Sequence, residues 1–264
     1  MTSTEPGRER ESLAEGTLIS HLLELRTRLL HAAVAVGLVA IPCMIYANQL
    51  FTFVAQPLIK TLPKGATMIS ISVVAPLMAP FKLAFYIAFV LAMPYVLYEA
   101  WAFIAPGLYR HEKRFALPLL VSSVVLFYAG IAFAFYVVFP LMFAFFTATA
   151  PPGVQMMTDM TQYLDFVLML FLAFGLAFEI PVAIVLLVWT GIVKLETLRK
   201  NRGYVLLAVF IQAAVITPPD VISQSAMALP MYALYEVGIL MARILARSKL
   251  EQRAREERES EAGT

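Results

Sequence analysis

Six apolar runs decide most of what this chain can become. They are approximately Leu29–Ala47, Phe81–Phe103, Phe115–Phe139, Tyr163–Trp189, Tyr204–Ile216 and Ala226–Ala242. Crossing ~30 Å of hydrocarbon takes roughly 20 predominantly apolar residues. Inside hydrocarbon a backbone amide finds no water, so each run must satisfy its own hydrogen bonds, and a helix does that within one segment. The composition agrees: of 264 residues, 61% are hydrophobic and 14% charged, whereas soluble domains lie nearer half and a quarter. The expected fold class is therefore all-α, a polytopic membrane protein with six transmembrane helices.

The basic residues orient it. Of the 20 Lys and Arg, all but Lys60, Lys64 and Lys82 fall in the N-terminal tail, the second and fourth connections and the C-terminal tail. Basic residues accumulate on the cytoplasmic side, so both termini are expected there, which requires an even number of spans. The first 17 residues are polar, carry no apolar core of a cleavable leader, and read as a disordered cytoplasmic tail. Residues 18–245 form the transmembrane domain and 246–264 a charged cytoplasmic tail. The stretch "NQLFTFVAQPLIKTLPKGATMISISVVAPLMAP" holds too many apolar residues for a plain loop and should form short interfacial pieces of a structured cap. "PLMFAFFTATAPPGVQMMTDM" looks similar. The last two runs are short, about 20 and 25 Å as helix, so either the bilayer beside them thins or polar groups enter it, or the helices extend beyond these bounds.

Ionisable groups in a bilayer are costly and need a reason. Glu24 lies in "SHLLELRTRLLHA", where a helix would put it on one face with His21, Arg28 and His31. Glu112 stands alone among the basic residues of "LYRHEKRF". Each could be an ordinary surface ion pair, or the two together could receive a pair of guanidinium groups through bidentate bonds that lysine cannot reproduce. Glu179, deep in "FGLAFEIPVAIVLLVW" with Pro181 two residues on, either bonds backbone freed by the proline or faces a wet cavity. Glu236 in "MYALYEVGIL" poses the same question. Asp220 and Gln224 follow "ITPPD", most simply a turn plus a helix N-cap. Trp101, Phe103, Tyr109 and Trp189 fit an interfacial aromatic belt.

Several classes are disfavoured. There is no Gly-x-Ser-x-Gly elbow, no phosphate loop and no metal-ligand spacing, so neither an enzyme nor a cofactor or metal is expected. The single cysteine, Cys43, excludes an internal disulfide. The basic loops are short and follow the topology rule, so no nucleic acid is expected.

"HLLELRTR", "WAFIAPGLYRHEKR", "FGLAFEIPVAIVLL", "LRKNRGYVL" and "TPPDVISQ", in that order over about residues 18–245, closely resemble the TatC family, the six-span core of the twin-arginine protein translocase. One departure is "LMAPF" before the second span, where many relatives carry an acidic residue. The resemblance implies a concave six-helix bundle in the cytoplasmic (inner) membrane, acting within a multimeric complex. It would bind Arg-Arg signal peptides on folded cargo, with single-span TatA-type and TatB-type subunits as partners and the protonmotive force as driver. It further implies that Glu24 and Glu112 meet the two arginines, with Arg26, Phe103, Leu108, Tyr109 and His111 around them, and that Glu179 lines the membrane concavity. Asp220 and Gln224 match positions that the family uses on the far side. Two other readings compete: a proton-coupled solute transporter with Glu179 and Glu236 as relays, and a scaffold for single-span partners with no peptide site.

Overall fold

The computed structural model describes the backbone of residues 5–61, 69–104, 116–149, 159–217 and 220–262, and the side chains of most of these from Ser20 to Ala246. The described residues are almost wholly helical, with no named strand and one isolated bridge between Ile69 and Asp159. The helices are α1 (Glu5–Ile45), α2 (Ala47–Thr61), α3 (Ala75–Ile104), α4 (Ala116–Phe133), α5 (Phe139–Thr149), α6 (Met160–Ala177), α7 (Ile180–Trp189), α8 (Leu195–Lys200), α9 (Arg202–Ile216) and α10 (Val221–Ala262). A π-helical turn, Ala134–Val138, joins α4 to α5.

Five of the resulting helical stretches are long and apolar enough to cross a bilayer: Ser20–Ile45, Ala75–Ile104, Leu117–Thr149, Met160–Trp189 and Val221–Ala246. The sixth, α9, has 15 residues, about 22 Å, so the fifth run is short as its sequence suggested. The sixth run is not. Its apolar helix covers 26 residues, because Asp220 caps it six residues upstream of the expected start and Arg243, Ile244, Leu245 and Ala246 carry it on past Ala242. The third span also outruns its expected end at Phe139: the π-turn absorbs one register step and the helix continues to Thr149, taking in half of the segment expected to be interfacial. At the other end, α1 starts at Glu5, inside the polar tail expected to be disordered, and α10 runs on to Ala262 through the charged C-terminal tail.

The chain divides into two compact units, residues 1–56 with 80–120, and residues 57–79 with 121–264. In the first, small side chains set the packing. Ala40, Cys43 and Ala47 meet Ala84 and Ala88, with Val39, Leu50 and Ile87 around them. Lipid tails are as apolar as leucine, so helices associate in a bilayer through close contact of small residues and not through burial of large ones. Leucines 22, 29 and 38 of α1 accordingly remain exposed. Trp101 does the reverse of what an interfacial belt requires: it is 7% exposed and packs inward.

The second unit is built around α6 and α7, one span broken at Phe178–Glu179. Pro181 lacks an amide hydrogen and cannot bond the carbonyl four residues back, and α7 restarts with the Ala183 amide on the Glu179 carbonyl at 2.9 Å. Phe127 and Phe174 are fully buried here, and Phe133 stacks obliquely on Phe174 and Phe178. Two close approaches demand glycine. A Cβ on Gly130 would sit 2.5 Å from the Phe174 carbonyl oxygen, and one on Gly238 of α10 would sit 2.9 Å from the Pro181 Cα of α7. At the start of α6, Asp159 accepts from the Thr161 and Gln162 amides at 3.0 Å and from the Ile71 amide at 3.2 Å. The Met160 amide donates to the Ile69 carbonyl at 2.9 Å. One carboxylate thus caps a helix and pins the segment before α3, within the stretch expected to form a structured cap, of which residues 62–68 lie outside the described residues.

Gly130→Ala should destabilise the protein by about 1–3 kcal/mol, since the obstruction is backbone and cannot rotate away; thermal unfolding in detergent checks this, against an exposed control such as Gly37→Ala, which meets nothing within 4 Å. The amides of Gln162, then Ile71 and Thr161, hold the Asp159 carboxyl below the usual carboxylate range. The charged form is favoured in the fold, so its contribution is complete above the ordinary value of about 3.9 and is lost as pH falls through the lower folded value. Amide-exchange protection at Ile71, Thr161 and Gln162 should therefore collapse on acidification below about pH 4, and Asp159→Ala should remove that pH dependence.

Candidate functional site

Helical spacing prepares two stripes in the first unit. On α1, His21, Glu24, Arg28 and His31 recur at intervals of three and four and share a face. On α3, Tyr95, Glu99 and Phe103 recur every four residues. The stripes meet in antiparallel order. The His21 and Phe103 rings stack with centroids 4.2 Å apart and planes 20° from parallel. One turn further along, Arg28 donates through Nη1 to Glu99 Oε2 at 3.0 Å and through Nη2 to Glu24 Oε1 at 3.3 Å. His31 Nδ1 lies 3.5 Å from Glu99 Oε1, and the Tyr95 hydroxyl faces the same carboxylate.

The two acceptors differ in surroundings. The Glu99 side chain is 5% exposed, and Arg28, His31 and Tyr95 converge on it. Glu24 is 32% exposed and, among the described residues, accepts from Arg28 alone. A planar guanidinium with five donors is suited to bridging two carboxylates. Electrostatically this is a chain of alternating charge near the edge of a low-dielectric medium, where such bonds strengthen.

Of the other residues singled out from the sequence, Phe103 joins the site through His21. Arg26 is exposed, two residues from Glu24 and so on a different face of α1. Glu112, Leu108, Tyr109 and His111 lie outside the described residues. Glu99 was missed by sequence reasoning, although the signal was present: it is a carboxylate within the second apolar run, and the cost that drew notice to Glu179 applied to it equally.

The second unit holds three further polar positions. Glu179, at the α6–α7 break, accepts from the buried Ser123 hydroxyl, while its Oε1 is buried with no hydrogen-bond partner among the described residues. Among the described residues its neighbour is thus a hydroxyl. Glu236 is no isolated intramembrane carboxylate. Arg202 donates to it at 2.6 Å and Tyr232 at 2.9 Å, while the Tyr235 hydroxyl donates to the Leu198 carbonyl at 2.8 Å. Together these tie α10 to α8 and to the start of α9. Asp220 accepts from the Ser223 amide at 2.6 Å and caps α10 as its sequence suggested; the Gln224 amide donates to the Asp220 carbonyl at 3.2 Å. Among the described residues, no group of three His, Cys, Asp or Glu could hold a metal ion.

Comparison with known proteins follows the same residues. Residues 20–230 match the family model described as Sec-independent protein translocase protein (TatC). The chain is 54% identical over 233 residues to the Sec-independent protein translocase protein TatC of Azotobacter chroococcum, covering 88% of this chain and 91% of that one. It is 53% identical over 226 residues to the protein of that name from Escherichia coli K12, covering 86% and 88%. Two crystal structures of the twin-arginine translocase receptor TatC are similar throughout. One has a TM-score of 0.77 at 34% identity over 85% of this chain and 98% of its own. The other, in the detergent DDM, has 0.78 at 35% over 84% and 99%.

Among the described residues, one buried oxygen of Glu179 has no hydrogen-bond partner. An unsatisfied buried polar atom costs about 1–3 kcal/mol, so Glu179→Met should leave thermal stability in detergent unchanged or raise it by up to about 1 kcal/mol. A clear loss of stability would instead make the carboxylate a structural element.

Proposed function

Because this chain belongs to the TatC family of Sec-independent protein translocase proteins, a non-enzymatic transport family, we propose that it is the receptor that binds Arg-Arg signal peptides at the cytoplasmic face, for export of folded proteins. The observation that carries the reading is the Glu24 face. There a one-third-exposed carboxylate already holds a guanidinium at 3.3 Å, beside the stacked His21 and Phe103 rings. A surface that binds its own arginine offers the geometry that a cargo arginine needs.

Glu112 supplies the second carboxylate, with Leu108, Tyr109, His111 and Arg26 flanking the pair. Both termini lie in the cytoplasm and the protein resides in the inner membrane, as its basic loops favour. TatA-type and TatB-type single-span subunits are its partners in a multimeric complex, and the protonmotive force drives transport. Residues 18–245 are the working domain, with Glu179 as a polar lining within the membrane and Asp220 and Gln224 at the far side. The 15-residue α9 lowers the local bilayer thickness, which favours passage of a folded protein. A proton relay through Glu236 has less support, since Arg202 and Tyr232 already engage that carboxylate.

Binding of an Arg-Arg signal peptide to the full-length protein in nanodiscs, compared with its Lys-Lys variant, tests the reading. The Lys-Lys peptide should bind more weakly by over ~1 kcal/mol, through loss of bidentate bonds. Glu24→Ala and Glu112→Ala should each abolish capture of the Arg-Arg peptide while the protein stays inserted. Undiminished capture by both variants would refute it.

A further inference from the structure

We propose that Arg28 is a resident occupant of the Glu24 carboxylate that a cargo arginine must displace, and that Glu99 is the positioning residue that takes up Arg28 when it leaves. The inference rests on the receptor reading above and adds an exchange step to it.

The asymmetry of the bridge is the basis. Arg28 is 3.0 Å from a carboxylate that is 5% exposed and 3.3 Å from one that is 32% exposed. The inner acceptor is faced by Tyr95 and His31, whereas Glu24 has no second donor among the described residues. Of the two contacts, the longer and wetter one breaks first. When it breaks, Arg28 keeps its better bond to Glu99, so the guanidinium is never left without a counter-charge at the membrane edge. Glu24 in turn passes from one guanidinium to another and is never left bare. The exchange replaces like with like.

Two consequences follow. Without Glu99, Glu24 would be the one carboxylate left to Arg28 among the described residues, and Arg28 would close on it, competing directly with cargo. With Arg28 in place, an incoming cation must do better than a guanidinium already held. A lysine ammonium is a compact point charge that cannot span two acceptors, so it fails against this competitor more often than it would against an empty carboxylate. Part of the preference for arginine is thereby set by a residue that touches no cargo in the bound state.

The test uses the full-length protein in nanodiscs and synthetic peptides bearing an Arg-Arg or a Lys-Lys pair before the same apolar segment. Glu99→Gln should weaken Arg-Arg binding at least threefold, because Arg28 moves wholly onto Glu24. Arg28→Lys keeps a counter-charge for Glu99 but competes less well, and should reduce the Arg-Arg over Lys-Lys preference at least threefold. The double variant Arg28→Gln/Glu99→Gln removes both charges together, which spares the fold an unpaired carboxylate, and should bind Arg-Arg at least as tightly as the wild type. A purely structural role for Glu99 predicts a double variant as weak as Glu99→Gln alone. That result, or an unchanged peptide preference in Arg28→Lys, overturns the exchange while leaving the receptor reading intact. A wild type indifferent between the two peptides overturns both.

Discussion

A charge carried into hydrocarbon must bring its counter-charge or its hydrogen bonds with it, and the polar architecture of this protein depends on that constraint. A lone carboxylate at the centre of a bilayer costs at least ~2.5 kcal/mol, and removing one partner of a buried pair costs more than the pair was worth. The fold answers in three ways. Glu99 is met by Arg28, His31 and Tyr95 from two helices. Glu236 is met by Arg202 and Tyr232, binding α10 to the start of α9. Glu179 has Ser123 on one side and, on the other, a buried oxygen without a partner among the described residues.

Those differences sort the groups by role. Glu236 has a donor on each of its two oxygens, and these bonds hold helices together. Glu24 has one donor among the described residues and is one-third exposed, which is what an exchangeable acceptor requires. Glu179 carries an unmet demand within the membrane, a feature tolerated in native folds where function needs it. Small residues act beside the charges: Gly130 and Gly238 let backbones approach where no side chain fits, and alanines do the same between α1 and α3. Close contact fixes the helices, and fixed helices hold the polar groups at bonding distance.

How far all this could be read beforehand depends on the range of the cause. Apolar runs are local, so five of the six spans and the shortness of α9 were legible, as was the N-cap at Asp220. Boundaries fared worse where a distant or subtle feature intervened. The π-turn at Ala134–Val138 has no sequence signature and carries the third span on to Thr149. The cap at Asp159 depends on Ile69 and Ile71, some ninety positions away in the chain. In the site, the Glu24–Arg28 pair was legible because four residues along one helix place two side chains together. Its extension to Glu99 was not, since those residues are 71 positions apart. Trp101 misled for a related reason: an aromatic near a span end suits either lipid headgroups or a helix contact, and only packing chooses.

By itself the sequence determined that the chain is a multi-span helical membrane protein, which runs cross, and that Glu24, Glu112, Glu179 and Glu236 had to be explained, though not Glu99, because hydropathy and helical periodicity act over neighbouring residues. The tertiary structure alone decided who explains them. It put Glu99 under Arg28, Arg202 on Glu236 and Ser123 against Glu179, since those partners lie on separate helices and meet only when small residues allow the helices to close. An ionisable group in a membrane announces itself in the sequence; its partner is known only once the helices have packed.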